Sequence, residues 1–171
     1  MFGWLFGRKG ESGGGVTETR ELFSLTRPLA APADKAFAVF VDKADTWWPR
    51  RNTWSQDDLD RIVIEPMFGG RCYERTKSGE ERVWGKVLTI SRPGHIVLTW
   101  QIRPDRSPEP EEAAASRIDV RFMANDQGGG SILLVHRDFP RHGEGWEKYK
   151  AEMAKAWPGM LDAYVKALAA S

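Results

Sequence analysis

The stretch from about Glu144 to Ala169 constrains the fold most. Trp146, Tyr149, Met153, Trp157, Met160, Leu161, Tyr164 and Leu168 recur at steps of three and four. That spacing puts them on one face of a long helix. Pro158 lies within it, in "WPG". A proline there removes a backbone donor and clashes one turn back, so a kink or break is expected. A helix with one wide apolar face needs a second layer to cover it.

The chain supplies that layer upstream. "RIVIEPM", "GGRCYERT", "RVWGKVLTI", "HIVLTWQI", "RIDVRFMA" and "SILLVHRDF" read as six successive strands. Turn signals such as "KSGEE", "SRPG" and "NDQGGG" separate them. Strands joined by tight turns pair antiparallel. Before them, "ETRELFSLTRPL" is a plausible first strand. "APADKAFAVFVDK" is a short helix with Phe37, Phe40 and Val41 in one stripe. The Pro/Glu/Ala-rich residues 104–115 read as a long polar loop. The expectation is an α+β fold: a curved antiparallel sheet wrapped around a long C-terminal helix, with a short helical segment after the first strand. A sheet that grips a helix in this way tends to leave a space between them, a natural small-molecule cavity.

Composition excludes several classes. The formal net charge is +1, which gives no bulk attraction to nucleic acid or anionic membranes. Cys72 is the only cysteine. This excludes a disulfide framework and a multi-cysteine zinc site, and fits a reducing cytoplasm. No apolar run approaches membrane-spanning length, so no stable membrane insertion is expected. The start, "MFGWLFGRKGESGGG", has basic residues after its apolar pentad and no cleavage-type site, so it does not read as a signal peptide. Residues 1–15 read as a flexible N-terminal tail, and residues 16–171 as one domain. Phe2, Trp4, Leu5 and Phe6 make the tail a possible docking peptide for a protein partner or a membrane surface.

The motifs "PADKAFAVFVD", "TWWP", "IEPMFGGRCYER", "WGKVLTISRPGHIVLTWQI", "LVHRDFPRHGEGW" and "WPGMLDAYVKAL" come in the order of a known family. Together they resemble the START-like (SRPBCC, helix-grip) superfamily. Within it they resemble the subfamily named after the heat-shock-protein-90 ATPase activator homologues. The resemblance covers about residues 18–169. It implies the helix-grip fold strongly and the function poorly, because this superfamily hosts carriers, receptors and cyclases alike. Two departures stand out. Many bacterial relatives carry a tryptophan where this chain has Cys72, which would enlarge the cavity if Cys72 faces inward. Residues 103–114, "RPDRSPEPEEAA", match no family motif.

Candidate chemistry centres on a few side chains. Strand alternation puts His136 on one face with Ile132 and Leu134, either as a polar anchor or base in an apolar pocket or as a structural core histidine. Cys72 and Glu74 share a face, and an inward Glu74 beside His136 would make an acid/base or ligand-orienting pair. Cys72 itself reads as a buried, inert thiol. His142 could play a ligand role, and His95 sits in an exposed turn. The three histidines lie on separate elements without metal-ligand spacing, so no metal and no cofactor are expected. "TWWPRRNTW" places Trp47, Trp48 and Trp54 in a polar connection. With Trp84, Trp100, Met153 and Trp157 they would either line a cavity for flat aromatic ligands or fill the core. Arg50 and Arg51 would hold an anionic ligand tail or stand solvated.

Three functions follow. The first is binding of a small hydrophobic or aromatic molecule between sheet and helix; a closed, packed space between Trp100, His136 and Trp157 argues against it. The second is an acid/base enzyme (cyclase, dehydratase or hydrolase-like), which needs Glu74 and His136 within hydrogen-bond reach of one pocket. The third is a co-chaperone-like or stress-response interaction domain using the tail.

Overall fold

The computed structural model describes residues 15–171. The expectation for the N-terminal tail therefore lies outside the described residues. The chain forms one eight-stranded antiparallel sheet in the order β1-β2-β8-β7-β6-β5-β4-β3. Its strands are β1 (Thr17–Glu18), β2 (Phe23–Leu29), β3 (Leu59–Ile64), β4 (Arg71–Thr76), β5 (Glu81–Ser91), β6 (His95–Trp100), β7 (Ser116–Ala124) and β8 (Gly130–Arg137). The helices are α1 (Ala33–Val41) and α2 (Trp146–Ala169). This is the curved sheet and long C-terminal helix of the helix-grip fold.

Strand alternation selects the face that α2 covers. Ile118, Val120 and Phe122 on β7 and Ile132, Leu134 and His136 on β8 are buried, while their neighbours in sequence are more open. The sheet bends at register shifts between Cys72 and Tyr73 and between Val87 and Thr89. Bulges of this kind sharpen curvature. Gly85 lies between them, opposite Cys72, where a Cβ would meet the Thr99 carbonyl at 2.4 Å. Only glycine lets these backbones approach so closely.

Helix α1 starts directly after Pro32, with Asp34 in its first turn, and buries Ala36, Phe37, Val39, Phe40 and Val41. An acidic residue there suits the positive end of the helix dipole. Helix α2 buries Tyr149, Met153, Trp157, Met160, Leu161, Tyr164 and Leu168, the stripe read from the sequence. Of the kink or break expected at Pro158, the break does not occur: the helix runs on through it. Trp157 on one side and Met160 and Leu161 on the other are almost fully buried. Each such side chain contributes about 1.5–3 kcal/mol of burial, enough to hold the helix across one missing hydrogen bond.

Residues 101–109 span the end of the expected strand "HIVLTWQI" and the start of the expected loop at 104–115. They form a small ordered hairpin closed by the Ile102–Pro108 bridge, by Glu109 N–H on the Gln101 carbonyl at 2.9 Å, and by the Arg103–Glu109 ion pair at 2.9 Å. His95 is half-buried rather than exposed, with Nε2 2.8 Å from Asp119 Oδ1.

Candidate functional site

The indoles of the connection between α1 and β3 enter the core one by one. An irregular chain of short turns carries them, so adjacent Trp47 and Trp48 both reach inside. Trp47 stacks on Phe40 at 4.8 Å and donates its indole N–H to the Phe40 carbonyl at 3.1 Å. It is a core residue. Trp48 lies 4.8 Å from Trp84, 6.3 Å from Trp100 and 6.1 Å from Trp157, ring centroid to ring centroid. Such spacings are those of packed aromatic pairs.

These rings close the space under the helix. Trp100 and Trp157 lie 6.0 Å apart, and His136 lies 5.8 Å from Trp100 and 6.4 Å from Trp157. The expected cavity between these three residues is therefore filled by their own rings. Cys72 is fully buried within the hydrophobic core. Burial pushes the Cys72 thiol up, away from the reactive thiolate. Met153 belongs to the buried stripe of α2.

Glu74 and His136 do not form the expected pair. Glu74, only 2% exposed, accepts three hydrogen bonds from one segment. Trp54 N–H donates at 3.0 Å, Ser55 N–H at 2.7 Å and the Ser55 hydroxyl at 2.6 Å. The carboxylate latches the tryptophan-rich connection to β4. The two side chains do not meet: three of Glu74's hydrogen-bonding positions serve this latch, while His136 is bonded to Ser116 and Trp157.

His136 belongs to a second buried network, which includes residues the sequence did not single out. Trp157 Nε1–H donates to His136 Nδ1 at 3.2 Å. The neutral ring therefore carries its proton on Nε2, which donates to the Ser116 hydroxyl at 2.8 Å. Ser116 in turn donates to His142 Nε2 at 2.8 Å, which also faces the Ser116 N–H at 3.3 Å. Beside it, Trp100 donates to the Tyr149 hydroxyl at 2.8 Å, and Tyr149 to the Ile102 carbonyl at 2.8 Å. Ser116 was legible as an inward position, since it shares parity with Ile118 and Val120. Tyr149 carried no polar signal within its apolar stripe.

Burial, reinforced by His142, holds His136 well below the ordinary histidine range. Burial likewise pushes His142 down to about 4, with Glu109 opposing. Both rings are thus neutral in the fold, whereas in the unfolded chain they take up protons near ~6.5. Stability is therefore complete above that pH and falls as pH drops toward about 4, because the unfolded state binds more protons. His136 alone contributes a slope of up to ~1.4 kcal/mol per pH unit, and the partial exposure of His142 screens its share. Thermal unfolding between pH 7 and 4.5 should show this slope, and His142→Gln should remove only the smaller, screened share, leaving the part carried by His136. A stability unchanged from pH 7 to 5 would contradict the neutral network.

A small crevice borders the aromatic core. It measures about 10 Å³ and is lined by Trp48, Asn52, Trp54, Ile62, Glu74, Trp84, Ile102 and Arg106. That volume holds about one water molecule. Trp84, one of its lining residues, has a buried indole nitrogen without an acceptor. Trp54 closes the crevice by donating its indole N–H to the Arg106 carbonyl at 2.7 Å, and Arg106 reaches the Asn52 carbonyl at 3.5 Å. Arg106 holds a left-handed backbone, φ 69°. Arg50 is structural, donating to the Leu59 carbonyl at 2.6 Å, and Arg51 is exposed. Among the described residues, no helix is long and apolar enough to cross a membrane, and no cluster of three or more His, Cys, Asp or Glu is arranged to hold a metal.

The family described as Activator of Hsp90 ATPase homolog 1-like protein matches residues 30–169. The chain belongs to that family. It is thereby a member of the START-like superfamily expected from its motifs. Among solved structures, the chain is 29% identical to one described as an anthrahydroquino-Gama-pyrone synthase Txn09 complexed with SUM. The match covers 88% of this chain and 99% of that one, with a TM-score of 0.61. CalC from Micromonospora echinospora, described as a self-sacrificing resistance protein, is 23% identical over 87% of this chain and 94% of that one, TM-score 0.62. Protein NE0264 from Nitrosomonas europaea is 14% identical over 89% and 96%, TM-score 0.63. The last two share the fold alone. No curated protein matches the chain in sequence.

Proposed function

We propose that this protein binds a flat aromatic molecule bearing an oxygen acceptor, at the crevice between the tryptophan-rich connection and the hairpin of residues 101–109. The observation that carries this reading is the indole N–H of Trp84, a residue of the crevice wall, buried without an acceptor. An unpaired buried donor is costly, about 1–3 kcal/mol, and a ligand carbonyl or phenolic oxygen would satisfy it. Trp48 and Trp54 supply ring faces beside it.

The crevice as it stands admits no such ligand, so binding requires opening. The clasp between Trp54 and residue 106 is the natural point, because few hydrogen bonds cross it. Glu74 anchors the backbone of Trp54 and Ser55, so opening moves the Trp54 ring and the hairpin side of the clasp. The relative described as a pyrone synthase, at 29% identity, supports an oxygenated ring system as the ligand class. Binding sits at the mouth of the aromatic core, and His136 stays behind it as a structural group.

The test is native mass spectrometry of protein from its own host, with tryptophan-fluorescence titration against oxygenated polycyclic aromatics and fatty acids. A co-purifying aromatic mass or saturable quenching is expected. Trp84→Phe keeps the ring stack and should weaken binding about fivefold, the loss of one hydrogen bond. No bound mass and no quenching by any aromatic would overturn the reading.

A further inference from the structure

An apolar groove lies away from the crevice and shares no lining residue with it. Its volume is about 250 Å³, and Leu29, Ala31, Lys35, Val165, Leu168 and Ala169 are among its walls. It sits where the end of β2, the start of α1 and the last turns of α2 meet. Its one charged lining residue is Lys35, whose ammonium donates to the Ser171 carbonyl at 2.8 Å. Pockets for whole small-molecule ligands run roughly 300–1,000 Å³. This groove is smaller, the size of one or two large side chains.

The direction of the chain indicates what fills it. Strand β1 pairs with β2 through Thr17–Ser24 and Glu18–Phe23. Each step back from Thr17 therefore advances along β2, toward Leu29 and the groove. Past Ser24, the outer edge of β2 has no strand beside it among the described residues. Helix α2 runs the same way as β2: Lys150 bonds to the Thr19 carbonyl, and Asp162 pairs with Arg27. Eight residues separate Phe6 from Gly15. Fully extended they reach about 28 Å, more than the roughly 17 Å of strand from Ser24 to Leu29.

We propose that the apolar segment Phe2–Phe6 of the same chain seats in this groove. Its Phe2, Trp4, Leu5 and Phe6 match the groove in character, and the linker confines them near it. Tethering by a short linker gives an effective concentration in the millimolar range, so even a weak contact forms. The tail would then fasten the end of α2 to β2.

The test keeps the chain whole. Amide hydrogen exchange at Ala31, Leu168 and Ala169 is compared between the native chain and a variant carrying Phe2→Ser, Trp4→Ser, Leu5→Ser and Phe6→Ser. Exchange should be about tenfold slower in the native chain, since seating the tail suppresses local opening. Ala169→Glu, an exposed position on the groove wall, should remove the same protection and move the Trp4 indole resonance to that of a free indole. Identical exchange in the native and four-serine chains would overturn the proposal. So would protection that disappears on dilution, which would make a second copy the occupant, or protection that appears only with added lipid vesicles.

Discussion

Trp48→Ala should lower folding stability by about 4 kcal/mol. Trp48 is the ring on which Trp47, Trp84, Trp100 and Trp157 all pack, at centroid distances from 4.8 to 6.3 Å. It comes from an irregular turn rather than a strand or helix, so no neighbouring side chain in its own element can swing in to replace it. Removing it deletes the transfer term of a large aromatic and leaves a cavity walled by rigid indoles. Trp48→Phe keeps a ring in the stack and should lose less than half as much. Urea unfolding of the three proteins measures both values. A loss below about 1 kcal/mol for Trp48→Ala would mean that the indole cluster can collapse onto the gap, and that the core is looser than its ring spacings imply.

Glu74→Ala should cost about 3 kcal/mol, close to the effect of breaking a buried charge-assisted network. The substitution leaves the N–H groups of Trp54 and Ser55 and the Ser55 hydroxyl without their shared acceptor. Glu74→Gln keeps the shape but sets an NH₂ group against a donor, and should cost about half as much. Both variants should also loosen Trp54, seen as a shift of its indole N–H resonance away from the position set by the Arg106 carbonyl. Wild-type stability in Glu74→Gln would show that the latch does not depend on the carboxylate.

Much of the fold was legible because its signals are periodic. The α2 stripe, the six strands from β3 to β8 and the inward parity of Cys72, Glu74 and His136 follow from spacings of 3.6 and 2. The site was less legible for physical reasons. Whether a ring lines a cavity or fills it depends on distances between elements, and Trp48, Trp84, Trp100 and Trp157 come from four separate ones. Glu74 is buried, sharing strand parity with Cys72. Its partners, however, are backbone N–H groups of Trp54 and Ser55, which every residue but proline carries and which therefore leave no mark in a sequence. Ser116 was visible as a polar residue at an inward parity. Its place between His136 and His142 needed the pairing of β7 with β8 and the turn before α2. Residues 104–115 read as a loop by composition, and the order at 101–109 comes from one bridge, one backbone hydrogen bond and an arginine–glutamate pair.

The most direct test of the ligand reading follows the indole N–H resonances one by one while an oxygenated polycyclic aromatic is added. The Trp84 and Trp54 resonances should shift together and saturably, because one gains an acceptor and the other leaves the Arg106 carbonyl. The Trp47 resonance, bonded to the Phe40 carbonyl inside the core, should stay where it is. Saturable shifts confined to residues away from the crevice, or no saturable shift with any such compound, would contradict the account.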